Sequence, residues 1–320
     1  MNILILSAGT RNKVVQYFKE TFKGVGKVVA TDCWELAPAI YEADRHYIVP
    51  RITEPNYIDV LLDICKKEQI SGVLSLIDPE LSLIAENREK FAKIGVQCIV
   101  SPKEAVDMAF DKIKMYDICV KNNIDTVKSY ASLDKFFDDQ KQGKINYPVF
   151  VKPICGSCSI NIQKVNDKET LIDLFRRYDN LMIQEFMTGQ EIGADVYIDP
   201  ISKKVVSIFT KKKILMRAGE TDKSVSFKDE NLFDFIDNFV TKAGYLWNID
   251  IDIFEQNGNY YISEVNPRFG GGYPHAYECG CNFMKLIQNN LAGNSNNKNI
   301  GEYKENVYMM KYLELMIKEM

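Results

Sequence analysis

Apolar positions follow two different periods along this chain. Up to about residue 100, short continuous apolar runs alternate with stretches in which apolar side chains recur every three or four residues. "NILILSAG", "KVVATDC", "HYIVP" and "GVLSLID" read as strands. "RNKVVQYFKETF", "YIDVLLDICKKEQI" and "ELSLIAENREKF" read as helices, the last entered through Pro79. This alternation predicts an open parallel sheet with helices on both faces. Such sheets often bind dinucleotides. Here Ser7, Ala8, Gly9, Thr10 and Arg11 follow the first strand, without the second and third glycines of that fingerprint. The fold is supported; nicotinamide binding is not.

The texture changes at Ser101. "SPKEAVDMAFDKIKMYDICVKNN" predicts one helix, capped by Ser101 with Pro102 at its first position. "YPVFVKPICGSCSINIQKV" reads as strand, small-residue loop, strand, and "NDKETLIDLFRRY" as a helix. "LMIQEFMTGQEIGADVYID" gives two strands about a turn at Thr188-Gly189, and "KVVSIFTKKKILM" continues the sheet. After the helix "NLFDFIDNFVTKAGY" comes a hairpin, "NIDIDIFEQNGNYYISEVNPR". The expected architecture is an α/β N-terminal domain with a Rossmann-like open parallel sheet, followed by an α+β fold with antiparallel sheets. The expected boundaries are 1–105, 106–183 and 184–320. "VYMMKYLELMIKEM" either closes the sheet or faces a partner.

The hairpin carries the strongest chemical signal. A two-residue Asn257-Gly258 turn would pair Ile251 with Glu264. A three-residue loop, Asn257 to Asn259, pairs Asp252 with Glu264 and sorts the faces better. Ile249, Ile251, Ile253, Tyr261 and Val265 then share one face, and Asp250, Asp252, Glu264, Asn266 and Arg268 the other. Clustered carboxylates repel one another unless cations intervene. Magnesium takes oxygen ligands, few of them from protein, and Asp252, Glu264 and Asn266 supply such a set. Arg268 can hold a phosphoryl oxygen, and Gly270, Gly271 and Gly272 let backbone approach a ligand. An exposed polar face is the alternative.

Two further segments fit phosphate and nucleotide. Lys152 ends an apolar strand ahead of the small-residue loop, whose backbone amides can cover phosphates. Gln184, Glu185, Phe186 and Met187 combine hydrogen-bonding groups with apolar surface on an extended segment, and Glu191 can accept from ribose hydroxyls. A lysine before a hairpin turn and a strand with exposed acids are the bland counterparts.

Composition narrows the partners. The chain has 320 residues, 46% hydrophobic and 26% charged, as in soluble globular proteins. Its net charge of −4 gives no basic character for nucleic acid, and Lys211-Lys212-Lys213 reads as a solvated strand edge. "MNILILSAGT" does not resemble a signal peptide, and no apolar run approaches a membrane span, so the expected location is the cytoplasm. The eight cysteines read as reduced, packed thiols. Cys155-x-x-Cys158 and Cys279-x-Cys281 could together hold zinc, but the second spacing does not suit a zinc knuckle.

Taken in order, these elements resemble the ATP-grasp superfamily, across essentially the whole chain. The Asp111-Lys112 helix, the loop after Lys152, the segment 184–191, and Asp252 twelve positions ahead of Glu264-x-Asn266-Pro267-Arg268 carry the match. It looks especially like single-unit ATP-grasp ligases that resemble the carbamoyl-phosphate synthase large subunit and biotin carboxylase. The resemblance implies an ATP-dependent ligase that activates a small-molecule carboxylate as an acyl phosphate for an amine or thiol. A non-catalytic nucleotide-binding regulatory module is the alternative. It further implies ATP held by Lys112, Lys152, Ser157, Ser159, Gln184, Glu185, Phe186, Met187 and Glu191. Magnesium or manganese would lie on Asp252, Glu264 and Asn266, and Arg268 would act on the transferring phosphoryl group. Arg217, Glu220, Gly271, Gly272 and His275 are candidates for substrate contact, although His275 has a structural reading as well. A homodimer follows by analogy. The family loop reads Gly-Ser-Gly-Ser-x-Gly, and Cys158 and Asn161 replace two of its glycines here. With one grasp unit, no glutaminase and no biotin carrier, neither namesake reaction transfers.

Overall fold

Five strands of the first hundred residues pair in parallel. The computed structural model describes residues 1–156 and 163–319. It begins with β1 (Asn2–Leu6), α1 (Asn12–Phe22), β2 (Val28–Asp32), β3 (Arg45–Ile48), α2 (Tyr57–Lys67), β4 (Ile70–Ser75), α3 (Asp78–Glu86), α4 (Arg88–Ala92) and β5 (Gln97–Cys98). The order β3-β2-β1-β4-β5 reverses direction at β1/β4, where open α/β sheets present their loops to ligands. Arg11 follows β1 and Asp78 follows β4 at that edge.

The expected single helix after Ser101 is two helices, α5 (Lys103–Phe110) and α6 (Lys112–Lys121). Asp111 breaks them apart: it is extended, and its carboxylate accepts the backbone N–H groups of Ile113 and Lys114 at 3.1 Å. Ser101 caps neither helix. Its hydroxyl donates to the carbonyl of Leu246 and accepts from the N–H of the same residue, tying this segment to the next layer.

A small antiparallel sheet follows, formed by β6 (Ser129–Tyr130), β7 (Val149–Pro153), β8 (Gln163–Val165) and β9 (Leu181–Glu185) in the order β6-β9-β7-β8. Helices α7 (Leu133–Lys141) and α8 (Lys168–Arg177) cover it through Phe136 and Leu171. The chain then crosses to a larger antiparallel sheet: β10 (Gln190–Ile198), β11 (Val205–Arg217), β12 (Glu220–Phe227), β13 (Trp247–Gln256), β14 (Asn259–Asn266) and β15 (Tyr308–Met310). Its order is β14-β13-β10-β11-β12-β15. Strands β9 and β10 belong to different sheets, so 186–189 joins two layers. The C-terminal segment closes the sheet edge through β15, beyond which Leu313, Leu315 and Ile317 are exposed. Helices α9 (Glu230–Ala243), α10 (Tyr273–Glu278) and α11 (Phe283–Leu291) complete the chain.

One core spans the first and the large sheets. Phe18 and Phe22 of α1 pack with Phe269, Tyr273 and the inner faces of β10, β11 and β13. Phe18 meets Phe269 edge-on, with centroids 5.7 Å apart, which fixes the chain just after Arg268 against the N-terminal layer. Among the described residues no helix is long and apolar enough to cross a membrane.

The hairpin reaches the expected pairing by a different route. The loop is the two-residue Asn257-Gly258 turn, with φ of 55° and 80°, and Gln256 pairs with Asn259. Those positive φ values suit the twist of the flanking strands. A bulge between Ile262 and Glu264 then shifts the register by one, so Asp252 faces Glu264 and Asp250 faces Asn266. Below the bulge Ile253 pairs with Ile262, and Phe254 with Tyr261. Tyr261 therefore leaves the apolar face assigned to it, and Tyr260 and Ile262 join that face.

Candidate active site

Strands β10 and β13 present one polar face together. Asp195 pairs with Asp250, Gly193 with Asp252, and Glu191 with Phe254. With β14 they form one wall of a cleft of about 660 Å³ between the two antiparallel sheets and the N-terminal layer. Lys112 and Lys152 enter from the opposite side, and each is only 6% exposed. The Asp111 break makes this possible: Lys112 N–H donates to the carbonyl of Ile154, clamping the start of α6 beside β7. Lys112 Nζ lies 3.8 Å and Lys152 Nζ 3.5 Å from the two carboxylate oxygens of Glu264. Lys112 Nζ also donates to the carbonyl of Gly156. Burial pushes the Lys152 ammonium below the ordinary lysine range, and Glu264 opposes it.

Lys211-Lys212-Lys213 is not a solvated edge. β11 lies inside the sheet, and Lys211 and Lys213 point into the site face while Lys212 points away. Lys213 Nζ bridges Asp252 at 2.6 Å and Glu191 at 2.8 Å. Burial would lower its pKa, but Asp252 and Glu191 win and raise it. Lys211 is ion-paired with Asp195, both essentially inaccessible to solvent. Its stem lies where a Cβ on Gly193 or Gly272 would be, 2.9 and 2.8 Å from Cε.

Asp250 is buried among like charges. Burial, then Asp252 and Asp195, push it up to about 7. Arg268 Nη1 lies 3.9 Å away, and Arg268 Nη2 donates to Asp78 of the first layer at 2.9 Å. The glycine run has a steric cause. A Cβ on Gly270 would overlap the Asp250 carboxyl, and one on Gly271 would stand 2.5 Å from Arg11 Nη1 and from Glu220 Oε2.

The other end of the cleft is apolar. Phe150, Phe186, Met187, Met216 and Phe254 line it together with Gln184, Glu185 and Glu191. Phe150 and Phe186 stand 6.3 Å apart, and Lys164 Nζ sits 4.0 Å from the Phe186 ring centre.

The cleft therefore gathers Lys112, Lys152, Gln184, Glu185, Phe186, Met187, Glu191, Glu220, Asp252, Glu264, Asn266, Arg268, Gly271 and Gly272. It does not gather Arg217 or His275. Arg217 lies on the hairpin surface 3.7 Å from Asp222. His275 is buried behind the wall, where Nε2 donates to the Val307 carbonyl and Nδ1 therefore accepts from Ser224. Burial, then Lys211, lower its pKa to about 4. Ser157, Ser159, Cys158 and Asn161 lie outside the described residues. Sequence reasoning missed Arg11, Asp78, Phe150, Lys211, Lys213 and Phe254 as cleft or cleft-supporting groups. Alternation could have found three of them: Lys211 and Lys213 are two apart, and Phe254 is two from Asp252.

The donor set suits a hard divalent cation. Asp252 and Glu264 bring carboxylate oxygens and Asn266 an amide oxygen to the same cleft lining, and hard divalent cations prefer such ligands. Among the described residues no three carboxylates, thiols or imidazoles form a preassembled metal cluster; lysine ammoniums hold the carboxylates instead.

The three-sheet fold and this cleft define an ATP-grasp superfamily protein, one resembling the carbamoyl-phosphate synthase large subunit and biotin carboxylase-like ligases. The family model described as PylC-like, N-terminal domain matches residues 3–99, and the one described as ATP-grasp in the biosynthetic pathway with Ter operon matches residues 177–314. The chain is 28% identical over 193 residues to the D-alanine--D-alanine ligase of Acetivibrio thermocellus, covering 52% of this chain and 51% of that one. It is 25% identical over 324 residues to a carbamoyl-phosphate synthase of Methanobrevibacter smithii, covering 96% and 85%. It thus spans about half the length of the first relative and most of the second. In fold it is similar to the biotin carboxylase domain of the Hydrogenobacter thermophilus 2-oxoglutarate carboxylase, a structure with MgADP, ADP and bicarbonate. The TM-score is 0.76 at 15% identity, over 96% of this chain and 73% of that one.

Proposed function

We propose that the protein is an ATP-dependent ligase. A small-molecule carboxylate takes the γ-phosphoryl group of ATP, releasing ADP and leaving an acyl phosphate. An amine or thiol then attacks the acyl carbon and phosphate departs. The observation that carries this reading is the cross-strand pair Asp252–Glu264, set in a cleft wall toward which two buried lysines converge.

The roles follow from position. Phe150, Phe186, Met187 and Phe254 suit the faces of an adenine, Gln184 and Glu185 its edge, and Glu191 the ribose. Lys112 and Lys152, already desolvated, exchange Glu264 for phosphate oxygens. Asp252, Glu264 and Asn266 would hold magnesium or manganese, which when bound neutralises phosphate charge. Arg268, fixed by Asp78, would steady the phosphoryl group in transfer. No side-chain nucleophile is required, since the protein positions reactants and screens charge.

The test is magnesium-dependent release of ADP and phosphate from ATP, with pools of carboxylates and amines added in turn. Stimulation by one pool supports the ligase and names its substrate class. ATP binding by calorimetry with no stimulation by any pool would instead favour the regulatory module.

A further inference from the structure

Arg11 comes from the loop between β1 and α1, and Glu220 opens β12 at the tip of its hairpin with β11. Their side chains meet at 2.7 Å across the join of the first and large sheets. Glu220 also accepts from Lys311 Nζ at 2.8 Å. Both heads lie against bare Gly271, so a cation and an anion stand side by side in the cleft wall. The same wall holds the Arg268 side chain, which is 10% exposed. Asp78 takes its Nη2, and its Nε has no partner. A buried guanidinium N–H without an acceptor is costly until something supplies one.

This group sits away from the apolar end. Gly270 packs on Asp250, four residues along β13 from Phe254, roughly 13 Å at the usual strand rise. A molecule docked at Arg11 and Glu220 therefore lies beyond the nucleoside, beside Arg268.

We propose that Arg11 and Glu220 dock the carboxylate substrate, and that this substrate carries an ammonium close to its carboxylate: an α-amino acid. The inference rests on the ligase reading above. Arg11 turns from Glu220 to the substrate carboxylate, which also meets Nε of Arg268, and Glu220 accepts from the substrate ammonium. Each charge exchanges one opposite partner for another, so neither is left buried and unpaired. A dicarboxylate would set a like charge against Glu220, and a plain amine would leave Arg11 and Arg268 Nε unmet.

The test is the melting temperature of the full chain with magnesium and the non-hydrolysable analogue AMP-PCP. Single α-amino acids of both hands are added, and separately their des-amino carboxylates. At least one amino acid should raise the melting temperature where its des-amino counterpart does not. Glu220→Gln should raise the amino-acid concentration needed for half the effect at least about tenfold, the loss expected of one charge-assisted bond, and keep the response to AMP-PCP. The double reversal R11E/E220R should restore the ligand-free melting temperature that either single reversal lowers, without restoring the amino-acid response. The proposal is overturned if no amino acid acts on the analogue-bound protein, if the des-amino compounds act equally, or if Glu220→Gln or the double reversal responds like wild type. No response to AMP-PCP itself would overturn the nucleotide reading and this inference with it.

Discussion

Asp252 and Glu264 are direct cross-strand partners although the turn that joins their strands, taken alone, would set Glu264 against Ile251. One extra residue on β14 makes the difference. The Asn257-Gly258 turn satisfies the local twist, and the bulge corrects the register where the carboxylates begin. Each carboxylate then meets a lysine from another strand or helix: Lys213 for Asp252, and Lys112 with Lys152 for Glu264.

Glu264→Gln removes the anion toward which both cleft lysines converge. ADP release should fall at least about a hundredfold, the scale of losing one preorganised charge-stabilising group. Glu264 is partly exposed, and Gln keeps its size, so the melting temperature should stay within a few degrees. Near-normal turnover, measured in a coupled ADP assay, would end the proposed role of Glu264.

Lys211→Met leaves Asp195 buried without its cation. Breaking such a pair costs about 3–5 kcal/mol, read from urea denaturation. Burial already raises the Asp195 pKa, and losing Lys211 raises it further. A carboxyl with a raised folded pKa binds its proton in the native state first, so the deficit should shrink as pH falls. Lys211→Met combined with Asp195→Asn should recover part of the loss. An unchanged deficit at low pH would count against this account.

His275 is held neutral, with its folded pKa lowered from 6.5 to about 4. The unfolded chain takes up the proton first as pH falls. His275 therefore contributes stability above pH 6.5 that is lost progressively down to about 4. Between those limits the denaturation midpoint of His275→Gln should fall less steeply with pH than that of wild type. Parallel profiles would show that His275 does not carry the slope.

Gly189 lies in the segment joining the two antiparallel sheets. An added Cβ would stand 2.0 Å from the backbone oxygen of Glu255, which cannot swing aside as a side chain does. Gly189→Ala should cost about 1–3 kcal/mol, the range for forced overpacking. It should also weaken ATP binding, because Glu185, Met187 and Glu191 flank it. Calorimetry and denaturation together check both effects, and a neutral substitution would mean that the start of β10 is free to move away from β13 here.

Much of this was legible in the sequence because it is local. Continuous apolar runs such as "NILIL" and "GVLSL", alternating with helical spacing, predicted the parallel sheet and its helices. The two-residue period of "NIDIDIF" put Asp250 and Asp252 on one face, as the Glu264-x-Asn266-x-Arg268 spacing did for the opposing strand. Local pattern could not show which neighbours a strand would have. "TKKK" looks like a solvated edge until β10 and β12 flank it, and then Lys211 and Lys213 become buried counter-ions. Nor could it show that Arg11, from the loop after β1, and Asp78, at the start of α3, would meet Glu220 and Arg268 from the far half of the chain. Periodicity assigns a side chain to a face, but only packing of distant segments decides what that face meets, because burial and charge pairing are properties of the assembled layers.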